Sequence, residues 1–323
     1  MIHNLEAYVS AALFTREGSA FALGDGTVVF ETGERVAAHA GAILCAAPHP
    51  KGHGVLTGGD DGRLVWSRPS GAAVIADLAG KWIDAVDASA DSGLIAFAAG
   101  KTVHVRDVAD AAFARAFVHE RSVAGLAFDP KGRRLAAATY GGLMLWYARI
   151  AEQKPHALKW AGSHVACAWS PDTRFLMSAM QENALHGWRL SDNKDLKMGG
   201  YPAKPRTMVF LARGALMATS GASGAVVWPF AGSNGPMGKE AVEIGHAPDA
   251  LVTAVAAHPA GMVLVAGCDD GRIWCADLQG RGVRVLKVGK ASPVTALSVS
   301  PDGATCAFGT EAGEAGVLAI VAG

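Results

Sequence analysis

The sequence predicts an all-β chain built from repeated four-stranded antiparallel units, and three observations carry that prediction. One stretch, His39 to Trp66 (HAGAILCAAPHPKGHGVLTGGDDGRLVW), alternates short apolar runs with turn-forming residues. Its punctuation recurs from one end of the chain to the other. Of 323 residues 40 are glycine and half are apolar, which suits many short strands joined by tight turns better than long helices.

Each element of the template has a local reason. Ala42 to Ala47 is apolar and of strand length. Pro48 to Gly54 follows with two prolines and two glycines, residues that fix or free the backbone where a sheet reverses. Val55 to Thr57 forms the second strand. Gly58 to Gly62 (GGDDG) is a hairpin turn of the Asp-Gly kind, in which glycine tolerates positive φ. Leu64 to Trp66 is the third strand, and Ala72 to Leu78 (AAVIADL) supplies the fourth.

The turn between first and second strands is the easiest mark to follow: FTREGSA, APHPKGHG, ASADSGL, FDPKGRR, WSPDTRF, FLARGAL, AHPAGMV and VSPDGAT. Aligned on Arg16, Pro50, Ala90, Pro130, Pro171, Ala212, Pro259 and Pro301, these eight turns have a mean period of about 41 residues, the length of a β-propeller blade. The longest spacing holds AGSNGPMG (231–238), read as a loop at a blade edge and not as a domain linker. The third strand marks the same period independently. It ends on an aromatic at Phe30, Trp66, Trp146, Trp188 and Trp228, on polar His104 or Arg106 in the third repeat, and on a displaced Trp274 in the seventh.

With these marks in place the chain resembles the WD40 family of β-propellers over essentially its whole length, 1–323, as a single domain. The resemblance implies a buried hydrogen-bonded tetrad, complete in one repeat as His39, Thr57, Asp60 and Trp66. Other repeats keep fragments, His119 with Trp146 and Asp269 without an aligned tryptophan. The closing Trp-Asp dipeptide is absent, since Ser67 follows Trp66 and Tyr147 follows Trp146. The expected fold is a closed propeller of four-stranded antiparallel blades, eight by the turns, with seven as the alternative. The last repeat has Gly316 to Val321 as its third strand and too few residues for a fourth, so Ile2 to Ala7 is expected to close it.

Charge and motifs narrow the function. Twenty-nine Lys and Arg balance 29 Asp and Glu, which argues against a dedicated nucleic-acid binder. No apolar run approaches the ~18 residues that span a bilayer. Met1 to Ser10 has neither the basic start nor the apolar core of a secretion signal, so the expected location is the cytoplasm. The cysteines, Cys45, Cys167, Cys268, Cys275 and Cys306, are odd in number, lie mostly in apolar strands and include no CxxC pair, so they read as reduced core thiols. His49 and His258 share a turn type in distant repeats, and Asp60, Asp61, Asp269 and Asp270 sit in hairpin turns where Asp caps its own backbone. No metal site, cofactor or catalytic constellation is expected, and no GxSxG, HExxH or P-loop occurs.

The expected role is therefore a non-catalytic scaffold that binds another protein through loops on a propeller face. The alternative is an enzyme or small-ligand binder with its site in the central channel, where His164 is the chief polar residue near a first-strand start. Loops entering the first strands and hairpins between second and third strands share one face. In the last, first, second and seventh repeats they carry acids (Glu311, Glu314, Asp25, Asp60, Asp61, Asp269, Asp270); in repeats three to six they carry Lys81, Trp82, Arg121, Tyr140, Trp160, His164, Tyr201, Lys204 and Arg206. Trp, Tyr and Arg dominate binding hot spots. An acidic, partly apolar segment of a partner is expected there, with the turns carrying Lys51, Lys131, Arg133, Arg134 and Arg174 as the alternative face.

Overall fold

In the computed structural model, residues 2–280, 282–289 and 292–320 are described. The template repeat folds as its turns dictate. Ile43–Pro48 pairs antiparallel with Val55–Gly59, which pairs with Arg63–Arg68, which pairs with Gly71–Asp77. Gly62 closes the Asp-Gly hairpin at φ +82°, where a Cβ would also meet the Leu78 carbonyl oxygen at 2.8 Å. The second strand is buried throughout and the outermost strand is largely exposed.

The strands form two compact bodies, Thr15–Trp169 and Met1–Phe14 with Ser170–Gly323. The first holds the meanders Gly18–Leu23, Thr27–Phe30 and Arg35–Ala37; the template repeat; Ile83–Ser89, Leu94–Ala99, Thr102–Asp107 and Ala114–Val118; and Val123–Phe128, Arg134–Tyr147 and His156–Trp169. The second holds Phe175–Met180, Ala184–Arg189 and Lys194–Met198; Met208–Leu211, Leu216–Thr219, Ala225–Pro229 and Val242–Ile244; Val252–Ala257, Val263–Cys268, Ile273–Asp277 and Gly282–Lys287; and Val294–Val299, Thr305–Thr310 and Glu314–Ala319. Among the described residues there is no α-helix, only the 3-10 turn Ala212–Gly214, and no helix is long and apolar enough to cross a membrane.

The eight blades expected from the turns are corrected to seven sheets among the described residues, six of four strands and one of six. The reason is local. Arg134–Tyr147 and His156–Trp169 are 14 residues each, twice the usual length, and run through positions where a strand break is expected.

The N-terminal strand pairs where the sequence places it, but it is shorter. Ile2–Asn4 lies antiparallel to Glu314–Gly316, and the Leu5 N–H continues the contact to the Gly313 carbonyl at 2.8 Å. The last repeat's third strand is Glu314–Ala319; Val321, assigned to it from sequence, lies outside the described residues. Trp274 is displaced because the register shifts between Ile273 and Trp274 against the outer strand. The third repeat fills its missing tryptophan with His104, stacked on cross-strand Phe97 at 5.0 Å.

One irregularity recurs. In five repeats the pairing of the first strand skips one residue, between Ile43 and Cys45, Ile83 and Ala85, Val123 and Gly125, Val252 and Ala254, and Val294 and Ala296. The skipped residues are Leu44, Asp84, Ala124, Thr253 and Thr295. Such a bulge bends the strand and re-aims the extra side chain.

Candidate interaction surface

The best-formed repeat builds a hydrogen-bonded chain under its hairpin, but with different members from those expected. His39 Nδ1 lies 2.9 Å from Asp61 Oδ1, and its Nε2 lies 2.8 Å from Thr57 Oγ1. Asp61 takes the role assigned to Asp60. Burial alone would raise the Asp61 carboxyl, but hydrogen bonds from His39 and from the Arg63 and Ala40 N–H groups outweigh it and hold the pKa below the usual range. Trp66 stands outside this chain: its indole N–H donates to the His53 carbonyl at 2.7 Å, and its ring lies between His49, stacked at 4.3 Å, and the Arg68 guanidinium at 4.1 Å. Burial and three cationic neighbours, Lys51, His53 and Arg68, push His49 down to about 4.

Two further repeats hold comparable chains. Trp146 Nε1 donates to His119 Nε2 at 3.0 Å, which requires that nitrogen to be unprotonated. Burial lowers the His119 pKa accordingly. In the other body Trp228 Nε1 donates to the Tyr201 hydroxyl at 2.8 Å, and that hydroxyl lies 2.7 Å from Thr219 Oγ1. Tyr201, expected on the binding surface, is therefore a buried structural residue. Its neighbours Pro202 and Pro205 lengthen the approach to the next first strand, and so hide its correspondence to His39 and His119. A mostly buried ion pair, Lys287 Nζ to Glu314 Oε2 at 2.9 Å, also escaped the sequence reading.

The other proposed contact residues separate clearly by exposure. Trp82 is 64% exposed and Tyr140 62%, and Lys81, next to Trp82, and Arg121 are exposed as well. Trp160 is partly buried, whereas His164 is 0% exposed with Nε2 at 3.1 Å from the Trp160 carbonyl. Burial removes His164 both from a partner surface and from the channel role of the enzyme alternative. Arg121 and Tyr140 line one cavity of about 240 Å3 together with Val118, Met144 and Trp146. In the second body Lys204 and Arg206 line a cavity of about 410 Å3, where Asp269 and Glu311 also lie. This cavity thus brings basic residues of the sixth repeat together with acids of the seventh and last repeats. Glu314 is not a free loop charge, being held by Lys287.

Burial pushes Cys45 and Cys306 up to about 12 and Cys268 to about 11, leaving them as thiols at neutral pH. Among the described residues no group of three or more His, Cys, Asp or Glu side chains is placed to hold a metal ion.

Asp87, on a first strand, is the one carboxyl driven into the physiological range. Burial raises it to about 6, although its Oδ2 accepts the Phe128 N–H at 2.6 Å. A carboxyl raised on folding adds stability below its unfolded pKa near 3.9 and loses it as pH rises through 6. Asp87→Asn should thus melt above the parent at pH 7.5, by up to about 3 kcal/mol, with the advantage gone at pH 4. Thermal melts at the two pH values check this, and an equal difference at both would show that Asp87 titrates normally.

Comparison with known proteins agrees on architecture. A family model described as WD40, "WD domain, G-beta repeat", matches residues 32–66 and 239–277. No curated protein matches the sequence. Among solved structures the chain is similar to the computationally designed Ika8 protein, with TM-score 0.78, 19% identity and 98% of each chain covered. It is similar to the Cps50 (Swd1) β-propeller domain of Myceliophteria thermophila at TM-score 0.68 and 14% identity, covering 86% of this chain and 96% of that one. A chain of a mitotic checkpoint complex matches at TM-score 0.68 and 15% identity, covering 100% of this chain and 91% of that one.

Proposed function

We propose that the chain, matched by the WD40 repeat model over residues 32–66 and 239–277 and similar in fold to a solved β-propeller domain, is a WD40-repeat propeller that acts as a non-catalytic scaffold, a single cytoplasmic domain whose loops hold another protein. The observation that carries this reading is the exposure of Trp82, on a loop beside Lys81, and of Tyr140, which lies in the strand Arg134–Tyr147 and lines a cavity with Arg121. Large aromatics left in water beside arginine are the composition of interface hot spots, since they bury much area while keeping a polar handle. The partner offers an acidic, partly apolar segment. Lys81, Trp82, Arg121 and Tyr140 form one contact set, and Lys204 and Arg206 form a second in the other body. The rival turns are less available: Arg134 is engaged by Asp129 at 3.0 Å and Arg174 by Asp172 at 2.6 Å.

The eight turns support a finer division of the seven sheets into eight blades. Each 14-residue strand bends at glycines of positive φ, Gly141 and Gly142 in one and Gly162 in the other. Both divide there into two strand-length stretches. Counted that way, the strands support four for each of the eight turns.

Affinity capture from the native cell, followed by mass spectrometry, tests the scaffold reading. Trp82→Ala and Arg206→Glu should each deplete the captured partner at least tenfold with little change in melting temperature, and Asp25→Lys should not. Full capture by both of the first two variants moves the interface to the turns around Lys51, Lys131 and Arg133. Turnover of a small substrate would replace the scaffold reading with the enzyme.

A further inference from the structure

The cavity beside Trp146 has the features of an anchor socket. Its floor is fixed: Trp146 is 7% exposed, stacks on Phe117 at 4.5 Å with 10° between the rings, and is tied by its indole N–H to His119. Its rim is apolar yet in water, with Val118 72% exposed and Tyr140 62% exposed. Half-buried Met144 lines the wall with an unbranched, adaptable side chain. At about 240 Å3 the cavity falls below the range of ~300–1,000 Å3 for pockets that enclose a drug-sized ligand, and suits one large apolar side chain.

The charges around the rim choose the occupant. His119 is neutral, because its Nε2 accepts from Trp146, and its backbone N–H donates to the Lys101 carbonyl at 2.9 Å, which sets exposed Lys101 beside the socket. Arg121 lines it, and exposed Lys154 adjoins the lining residue Pro155. Glu120 is the one carboxylate among the lining residues. Counted with the residues next to the lining, three cations (Lys101, Arg121 and Lys154) stand against two carboxylates (Glu120 and exposed Glu152), a positive excess that favours acidic flanks around the inserted group.

We propose that this socket anchors one apolar side chain, of leucine or phenylalanine size, from an acidic segment of a partner protein, with Tyr140 and Val118 closing over it and Arg121 pairing with an adjacent carboxylate. The inference rests on the scaffold reading and gives it a residue-level address. Rigid aromatic floors rimmed by mobile contacts concentrate binding energy, because the inserted group is desolvated at small entropic cost.

The test is an array of synthetic hexapeptides of Asp and Glu carrying Leu, Ile, Met or Phe centrally, with matched arrays that have Ala centrally or Lys and Arg flanks. The full chain is the probe, and 13C-methyl NMR of Met144 is the second readout. Binding should concentrate on acidic peptides with a large apolar centre, shift the Met144 methyl resonance, and fall at least tenfold in Arg121→Glu and in Tyr140→Ala. Both residues are exposed, so a matching melting curve separates lost binding from lost folding. Equal binding of Ala-centred or basic peptides, an unmoved Met144 signal, or binding unchanged in both variants overturns the socket while leaving partner capture through Trp82 standing. Absence of binding by every peptide also overturns it. Loss of partner capture in the cell experiment, by contrast, removes the scaffold reading itself.

Discussion

Deleting residues 1–7 should lower the melting temperature by roughly 5–15 °C or yield insoluble protein, the largest effect expected of any small change to this chain. The deletion removes the pairing of Ile2–Asn4 with Glu314–Gly316 and strips the outer edge of the last repeat. The side chains of that strand are exposed, so its contribution is the backbone ladder, at about 1 kcal/mol net per hydrogen bond. Leu5 adds more. It is 7% exposed, and burying a leucine stabilises by about 2 kcal/mol. The sum is a large part of a typical margin of ~5–15 kcal/mol. Leu5→Ala isolates the side-chain share and should reproduce less than half of the loss. A melting curve unchanged by the deletion would show that the pairing contributes nothing to the fold.

Asp61→Ala should cost about 2–3 kcal/mol in chemical denaturation, and Asp60→Ala well under 1 kcal/mol. The His39 side chain has no solvent access, so loss of Asp61 leaves Nδ1 buried without its acceptor, while the other ring nitrogen stays committed to Thr57. The turn itself also loosens, since Asp61 accepts from the Ala40 and Arg63 N–H groups. The Asp61 carboxyl is held below its ordinary pKa, so its contribution is present above about pH 4 and fades as pH falls further. Equal destabilisation by the two alanines would mean that the hairpin, and not the histidine, sets the cost.

Adjacent aspartates show where sequence reading stops. GGDDG announces a hairpin and a capping carboxylate, but which of two neighbours faces the histidine depends on the hairpin's backbone twist, to which residue type is blind. The strand order and the closing strand were legible because turns and apolar runs are local signals. Tyr201 was misread for a related reason: a tyrosine preceding two prolines looks like a binding loop, and only its hydrogen bonds to Thr219 and Trp228 mark it as a substitute for histidine. His164 was expected on the binding face, or in the channel under the enzyme alternative, because it is a polar residue near a first-strand start, yet it is fully buried. For Trp82 and Tyr140, residue type and loop position carried the expectation, and exposure is the added fact.

The recurring skip in the first strands has a consequence for how such a chain can change. Leu44, Asp84, Ala124, Thr253 and Thr295 occupy one backbone position in five repeats, so aliphatic, anionic, small and hydroxylic side chains are all accepted there without altering the register beyond. The threonines use the position to reach a neighbouring strand, Thr253 Oγ1 donating to the Val294 carbonyl and Thr295 Oγ1 to the Val9 carbonyl, each at 2.6 Å. Exposed Leu44, Asp84 and Ala124 make no comparable demand. An inherited duplication could therefore rewrite these sites one at a time while folding stayed intact, and a protein engineer can treat Ala124 as a blank key, cut to any shape the intended guest requires.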